Sequence, residues 1–301
     1  MIVGHAVPIP GSRKRNDTPD DMATKAGNIT IDARTTSWGS SFVYHMMYAK
    51  EKSWVAHYEH RVAGLLNAIR ATRTGAAILD SVVKRVTIRP LENPFEVNAF
   101  ASPRNCRNAI ELLAEPVGCR PGAVWELGTG MGTASTIYFT PGTYSPGDPL
   151  MNKRYKHDVA GKKPDEVLCH ELVHAMRHTQ GELDRRPMGD GFDKVDEFHA
   201  IMVANIYCSE RGRPLRRNHH GSAPMQHEFA TDGFRFYAWY NKLVSKFVSD
   251  LPELARQLSR INCPWNPVRE HFEYQQILAD IAWDRQASRP GYYRDPLGTK
   301  Y

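Results

Sequence analysis

Val167-Leu168-Cys169-His170-Glu171-Leu172-Val173-His174-Ala175-Met176 contains the pattern H-E-x-x-H, and its conformation decides the fold. On a helix, His170 and His174 lie one turn apart on one face, ~5–6 Å between Cβ atoms, so both imidazoles can reach one Zn²⁺ at ~2.0–2.1 Å. Glu171 then stands beside the pair, placed to take a proton from a water at the metal. Five residues carry little weight alone, so the flanks matter. Apart from the two histidines and the glutamate, the stretch is uncharged, as befits a helix threaded through a core with one polar face. Pro164 suits a first helical turn, Asp165 and Glu166 suit its dipole, and Gly181 supplies a stop. Two core histidines flanking Glu171 by chance would leave that carboxylate buried without a partner, which is costly.

Hydrolytic zinc usually has three protein ligands and one open position. His178 continues the stripe, but two turns along a straight helix it lies ~12 Å from His170, so it is expected at the surface or behind a ligand. The pattern H-E-x-x-H-x-x-G-x-x-H is absent, because Arg177 and Gln180 stand where its Gly and His would be. A second helix from Val195 to about Arg211 is the better source, with Val195, Phe198, Ile201, Met202 and Ile206 on its apolar side. Glu197, in its first turn, is the expected third ligand, and Asp196 the expected partner for a histidine N–H. Acidic residues there would also complement the helix dipole without any metal. An oxyanion donor is needed as well, and Arg235, Tyr237, Tyr240, His219 and His220 are the downstream candidates.

His170-Glu171-Leu172-Val173-His174-Ala175, the acidic pair Asp196-Glu197 heading a helix through Asn205, and Glu210-Arg211-Gly212-Arg213-Pro214-Leu215-Arg216 together resemble the NleD-like zinc metallopeptidases. The resemblance covers about residues 75 to 220 and includes the strand-like Ser135 to Pro141. It implies a gluzincin-type fold similar to clostridial neurotoxin light chains, a third ligand matching Glu197, and one zinc per chain. It also implies a bacterial effector delivered into host cells by type III secretion, with relatives fused to Rhs-type toxins. The substrate would be a host signalling protein such as a mitogen-activated-class kinase. Asp196 departs from the family's pattern, which has glutamate as the first acid of the pair.

The rest of the chain is consistent with such an enzyme. With 301 residues, 41% of them hydrophobic, it can bury one sizeable core or two small ones. Residues 1–27 are rich in Pro, Gly, Ser, Asp, Lys and Arg and read as a flexible leader that would fit an export segment; 28–301 is expected to be one α+β, zincin-like catalytic domain. The net charge of +6 is spread rather than striped, so nucleic acid is not an expected partner. No apolar run approaches the ~18 residues of a membrane span, and the start lacks the order of a Sec signal. A monomer is expected. Five widely spaced cysteines, at 106, 119, 169, 208 and 263, suit reduced thiols, with Cys169 turned about 100° from His170.

Strands are expected at 28–32, 85–90 and 136–140, helices between about 41 and 71 and around 76–83, a helical turn near Ala109 to Leu113, and irregular structure elsewhere between Leu91 and Pro121. The strand Thr136 to Thr140 is expected beside the metal helix, where an extended substrate could add to it. Thr140 to Lys163 reads as a long surface loop. The part from about 225 to 285 is helical, and its aromatic residues read as core behind the active site.

Two other functions fit parts of the sequence. Gly128-Thr129-Gly130-Met131-Gly132, after an apolar strand ending in Glu126, resembles the S-adenosylmethionine loop of class I methyltransferases. Such a loop needs a helix after it, whereas Ser135 to Pro141 is β-branched, aromatic and stopped by proline. A non-catalytic, metal-stabilised binding protein is the other alternative.

Overall fold

The computed structural model describes residues 27–33, 38–48, 54–92, 99–104, 111–112, 126–127, 130–151, 159–219 and 224–287. The proposed leader, apart from residue 27, and the tail after 287 lie outside them.

The chain is α+β. The described strands are β1 (Ile29–Ile31), β2 (Val86–Arg89), β3 (Phe100–Pro103), β4 (Glu111–Leu112), β5 (Glu126–Leu127) and β6 (Ser135–Tyr138). Helices α1 (Trp38–Met47), α2 (Trp54–Arg70) and α3 (Arg73–Asp80) fill the crossover between the parallel strands β1 and β2. The main sheet has the order β1-β2-β6-β3; its first three strands are parallel and β3 runs antiparallel at the edge. Val86, Ile88 and Ile137 turn inward and are fully buried in the same core cluster as Val62, Leu66 and Ile69 of α2.

The H-E-x-x-H stretch lies on α4 (Pro164–Gln180), and 14 of its 17 residues are buried, so it runs through the core. Pro164 sits in its first turn, the Lys163 amide donates to the Glu166 carboxylate at 3.2 Å, and Gly181 closes it in the left-handed conformation at φ 79°. α5 (Val195–Glu210) packs along α4 and buries Phe198, Ile201, Met202 and Ile206. The start of α4 is joined to the end of α5 by Asp165, which accepts from the Tyr207 hydroxyl and from Arg213 just beyond α5, each at 2.6 Å.

The glycine-rich segment docks onto the end of α4. Gly130 N–H donates to the Gly181 carbonyl at 3.0 Å, and Thr133 N–H to that of His178 at 2.9 Å. A Cβ at Gly132 would lie 1.9 Å from the Thr179 carbonyl oxygen, and one at Gly181 would lie 2.6 Å from the Gly132 nitrogen. Both have positive φ, so the two glycines are required by backbone approach and conformation. Strand β6 follows them, not a helix, so the cradle a methyltransferase loop needs is absent at Gly130 to Gly132; Gly128 lies outside the described residues.

Other expectations are corrected. β6 is paired on both sides, by β2 and β3, so it has no free ladder for a guest strand; the sheet edge next to it belongs to β3, within the region expected to be irregular. Residues 111–112, where a helical turn was expected, pair with 126–127 as an antiparallel ladder. The supposed surface loop begins with a 3₁₀ turn, Pro141–Tyr144, in which all four residues are buried. Tyr144 stacks on Phe139 at 5.6 Å and its hydroxyl accepts from the Ala99 amide at 2.6 Å, so aromatic packing draws the segment inward.

The C-terminal part consists of α6 (His227–Ala230), α7 (Gly233–Trp239), α8 (Asn241–Asp250), α9 (Pro252–Ser259) and α10 (Pro267–Ala287). Phe236, Phe247 and Trp265 join the core, but Phe234 and Trp239 are exposed, so its aromatic residues are not all core. Among the described residues Cys169, Cys208 and Cys263 are free and buried, and burial pushes the thiols of Cys169 and Cys208 well up. No described helix is long and apolar enough to cross a membrane.

Candidate metal centre

The helical turn between His170 and His174 and the return of α5 along α4 bring three ligand atoms together. His170 Nε2 and His174 Nε2 are 3.1 Å apart, and Glu197 Oε2 lies 3.3 Å from the first and 3.4 Å from the second. Ligands at ~2.0–2.1 Å from a tetrahedral ion are separated by ~3.3–3.4 Å, so one ion fits between all three. Among the described residues, the buried atoms Glu197 Oε2 and His170 Nδ1 have no hydrogen-bond partner. A cation would satisfy the first of these and would relieve the confrontation of two imidazole nitrogens. Among the described residues, His170, His174 and Glu197 are a group that could hold a metal ion.

Behind this group lies a chain of charge. Asp196 Oδ2 is 2.5 Å from His174 Nδ1, which fixes the second ring nitrogen as the one facing Glu197. Arg177, fully buried, donates from Nε to Asp196 Oδ1 at 2.6 Å and from a terminal nitrogen to the Glu182 carbonyl. Burial alone would raise the Asp196 carboxyl, but His174 and Arg177 hold it well below the usual carboxylate range. Burial opposes charge on His174 too, yet the carboxylates of Glu197 and Asp196 raise it well above its ordinary value. His170 goes the other way, pushed down to about 4 chiefly by burial. The site is thus rich in negative charge facing a point where positive charge is wanted.

Glu171 points into the same cavity, of about 590 Å³, and burial pushes its carboxyl up to about 7. The Ala101 amide of edge strand β3 hydrogen-bonds to it. Ala99, Phe100 and Ala101 form one wall of the cavity, and His219 another. His219 Nδ1 is held 2.9 Å from Asp193 Oδ2 while Nε2 lies 3.6 Å from Glu197 Oε2.

The remaining candidates disperse. His178 is not at the surface: it is buried, lines the cavity, and sets Nδ1 2.9 Å from Ser135 Oγ. Arg235 is exposed at the start of α7, 3.5 Å from Glu228, and does not line the cavity. Tyr240 lines a neighbouring recess, its hydroxyl 3.4 Å from Asp190. Tyr237 packs against His271 and Tyr274, and His220 lies outside the described residues. Sequence reasoning missed Arg177, Asp193 and the Ala99 to Ala101 wall. None of the three has a spacing that would reveal it, although an arginine inside an otherwise apolar helix was a signal that it needs a buried acid.

Comparison with known families gives one match: the family model Peptidase_M91, described as "Effector protein", covers residues 47–218, more than half of the chain. The matched span holds His170, Glu171, His174, Glu197 and Asp196 and ends before the helices from 227 onward. No curated protein and no solved structure matches.

Proposed function

The chain belongs to the Peptidase_M91 effector protein family, and from that membership we propose that it is a zinc-dependent, zincin-like endopeptidase. It would act inside a host cell on a signalling protein, with a mitogen-activated-class kinase as the first substrate class to test. The observation that carries this is the convergence of His170 Nε2, His174 Nε2 and Glu197 Oε2 within 3.4 Å of one another, beside a buried carboxyl at Glu171.

A zinc ion bound there would polarise the scissile carbonyl and make a water in the cleft more acidic. Glu171, with its carboxyl near neutrality, accepts the proton of that attacking water and then delivers it to the leaving amide nitrogen. Asp196 keeps the His174 tautomer with its proton on Nδ1, and Arg177 keeps Asp196 charged. Of the five oxyanion candidates His219, oriented by Asp193 through Nδ1, is the one that lines the cavity, and with both ring nitrogens protonated its Nε2 would take that role in place of Arg235 and Tyr240. The substrate backbone lies antiparallel on β3, whose outer ladder is not paired among the described residues. Delivery through a non-Sec secretion route completes the proposal.

The test incubates the full chain with host-cell lysate, with and without chelator, and reads new peptide termini by mass spectrometry. Wild type is expected to yield termini that vanish with chelator and with Glu171→Ala, while metal analysis shows one zinc in both proteins. Zinc without any new termini would leave the binding-protein alternative; equal cleavage by Glu171→Ala would remove Glu171 as the base.

A further inference from the structure

α10 leaves the body of the protein after its first turns. Val268, His271 and Phe272 pack inward, whereas 273–283 are all exposed. That projecting stretch nevertheless carries Tyr274, Ile277, Leu278 and Ile281 at 36%, 54%, 42% and 43% exposure. At ~100° per residue these four, with Glu270 before them and Arg285 after them, fall within about 100° of one another and form one stripe. Phe234 on α7, 46% exposed and 6.1 Å from Tyr274, extends it onto the body. A helix this apolar on one side gains nothing from standing in water, and a short isolated helix is barely stable by itself.

The order of residues along the stripe indicates what covers it. Acid, Tyr274, Ile277-Leu278, Ile281, base is a sequence complementary to its own reversal; its acid, Glu270, is half-buried with Oε1 3.4 Å from Arg269 of the same helix, and would exchange that partner for Arg285 of the second copy. Two copies laid antiparallel about a point between Ile277 and Leu278 place Tyr274 against Ile281, Ile277 against Leu278, and Glu270 against Arg285, each contact occurring twice. Laid parallel, the same copies would oppose like charge at both ends. We infer that α10 is a homodimerisation helix that pairs antiparallel with α10 of a second copy of this chain, in place of the monomer expected from sequence. The stripe is independent of the metal centre, and the matched family segment ends before it begins.

Sedimentation velocity of the full chain over a roughly hundredfold concentration range tests this. Wild type is expected to pass from monomer to dimer, and Ile277→Asp with Ile281→Asp to weaken association at least about tenfold, since these side chains would form the centre of the contact. Circular dichroism and zinc content unchanged in that variant separate loss of pairing from loss of fold. Glu270→Lys and Arg285→Glu are each expected to weaken the dimer, and the two together to restore it. A wild-type monomer at every concentration, including one that binds lipid vesicles through the stripe, overturns the inference. Failure of the double charge exchange to restore pairing also overturns it.

Discussion

Arg177 stands three residues after His174, with no exposed surface, yet it touches neither the ion position nor the cavity. Its worth lies in Asp196, whose carboxylate it shares with His174. Arg177→Met should leave that acid buried and half-compensated, costing ~3–5 kcal/mol of stability by analogy with broken buried pairs. Zinc affinity should fall about 10–100-fold, as measured by competition with a chromogenic chelator. An Arg177→Met protein that binds zinc like wild type would show that Asp196 holds His174 unaided. Glu171→Gln should keep zinc and lose about 10²–10⁴-fold in turnover, measured on whichever peptide the lysate experiment yields. Glu197→Ala should instead lose zinc itself, read by metal analysis of the purified protein. The neighbourhood of His170, Glu171 and His174 was legible in the sequence because one helix converts their spacing directly into proximity, whereas Glu197 was suggested by its place in the first turn of a second helix that has to return to them. Arg177 and Asp193 were not, and His219 stood only as one of five downstream candidates, since their neighbours come from tertiary packing that no local period encodes.

At the scale of elements, α4 is held at both ends, and each end can be probed. Gly132→Ala would drive a methyl group into the Thr179 carbonyl at a backbone angle that L residues avoid. We expect a loss of at least about 1–3 kcal/mol, visible as a midpoint several degrees lower in thermal unfolding. The other end depends on pH through Asp165. Burial alone would raise its carboxyl, but hydrogen bonds from Tyr207 and Arg213 lower it below its ordinary 3.8 in the folded chain. The stabilisation is therefore present above 3.8 and is lost as pH falls through the depressed folded value. Denaturation of Asp165→Asn followed from neutral to acid pH should show a shallower fall than wild type; parallel curves would contradict this. The helices α4 and α5 were readable because they combine period, caps and stops. Strand β3 was not, because Phe100-Ala101-Ser102-Pro103 is four residues long, half-exposed and ended by proline, and only β6 beside it makes it a strand. The buried turn Pro141–Tyr144 looked like a loop for the same reason: its prolines and glycines were visible, its packing partners were not.

For the molecule as a whole, the ion position lies between two helices that also meet through apolar side chains and through the contacts of Asp196 with His174 and Arg177 and of Tyr207 with Asp165. Removing the metal should release that cross-tie. At a free-metal concentration about 100 times its dissociation constant, the ion contributes ~2.7 kcal/mol, so dialysis against chelator should lower the unfolding midpoint and zinc should restore it. Identical midpoints with and without metal would mean that the helices are fully set without it. The C-terminal helices also bear on the site: His199 of α5 has its Nε2 3.1 Å from the Leu243 carbonyl of α8, although the family match stops at residue 218.

The brevity of β3 has a consequence for selectivity. A guest chain aligned on four residues, the last of them lacking an N–H, can form only a few main-chain bonds, and main-chain bonds are alike for every sequence. Discrimination among host proteins must therefore rest on side-chain pockets and on surfaces remote from the scissile bond. Short synthetic peptides spanning a cut site should accordingly be much poorer substrates than the intact protein that contains it.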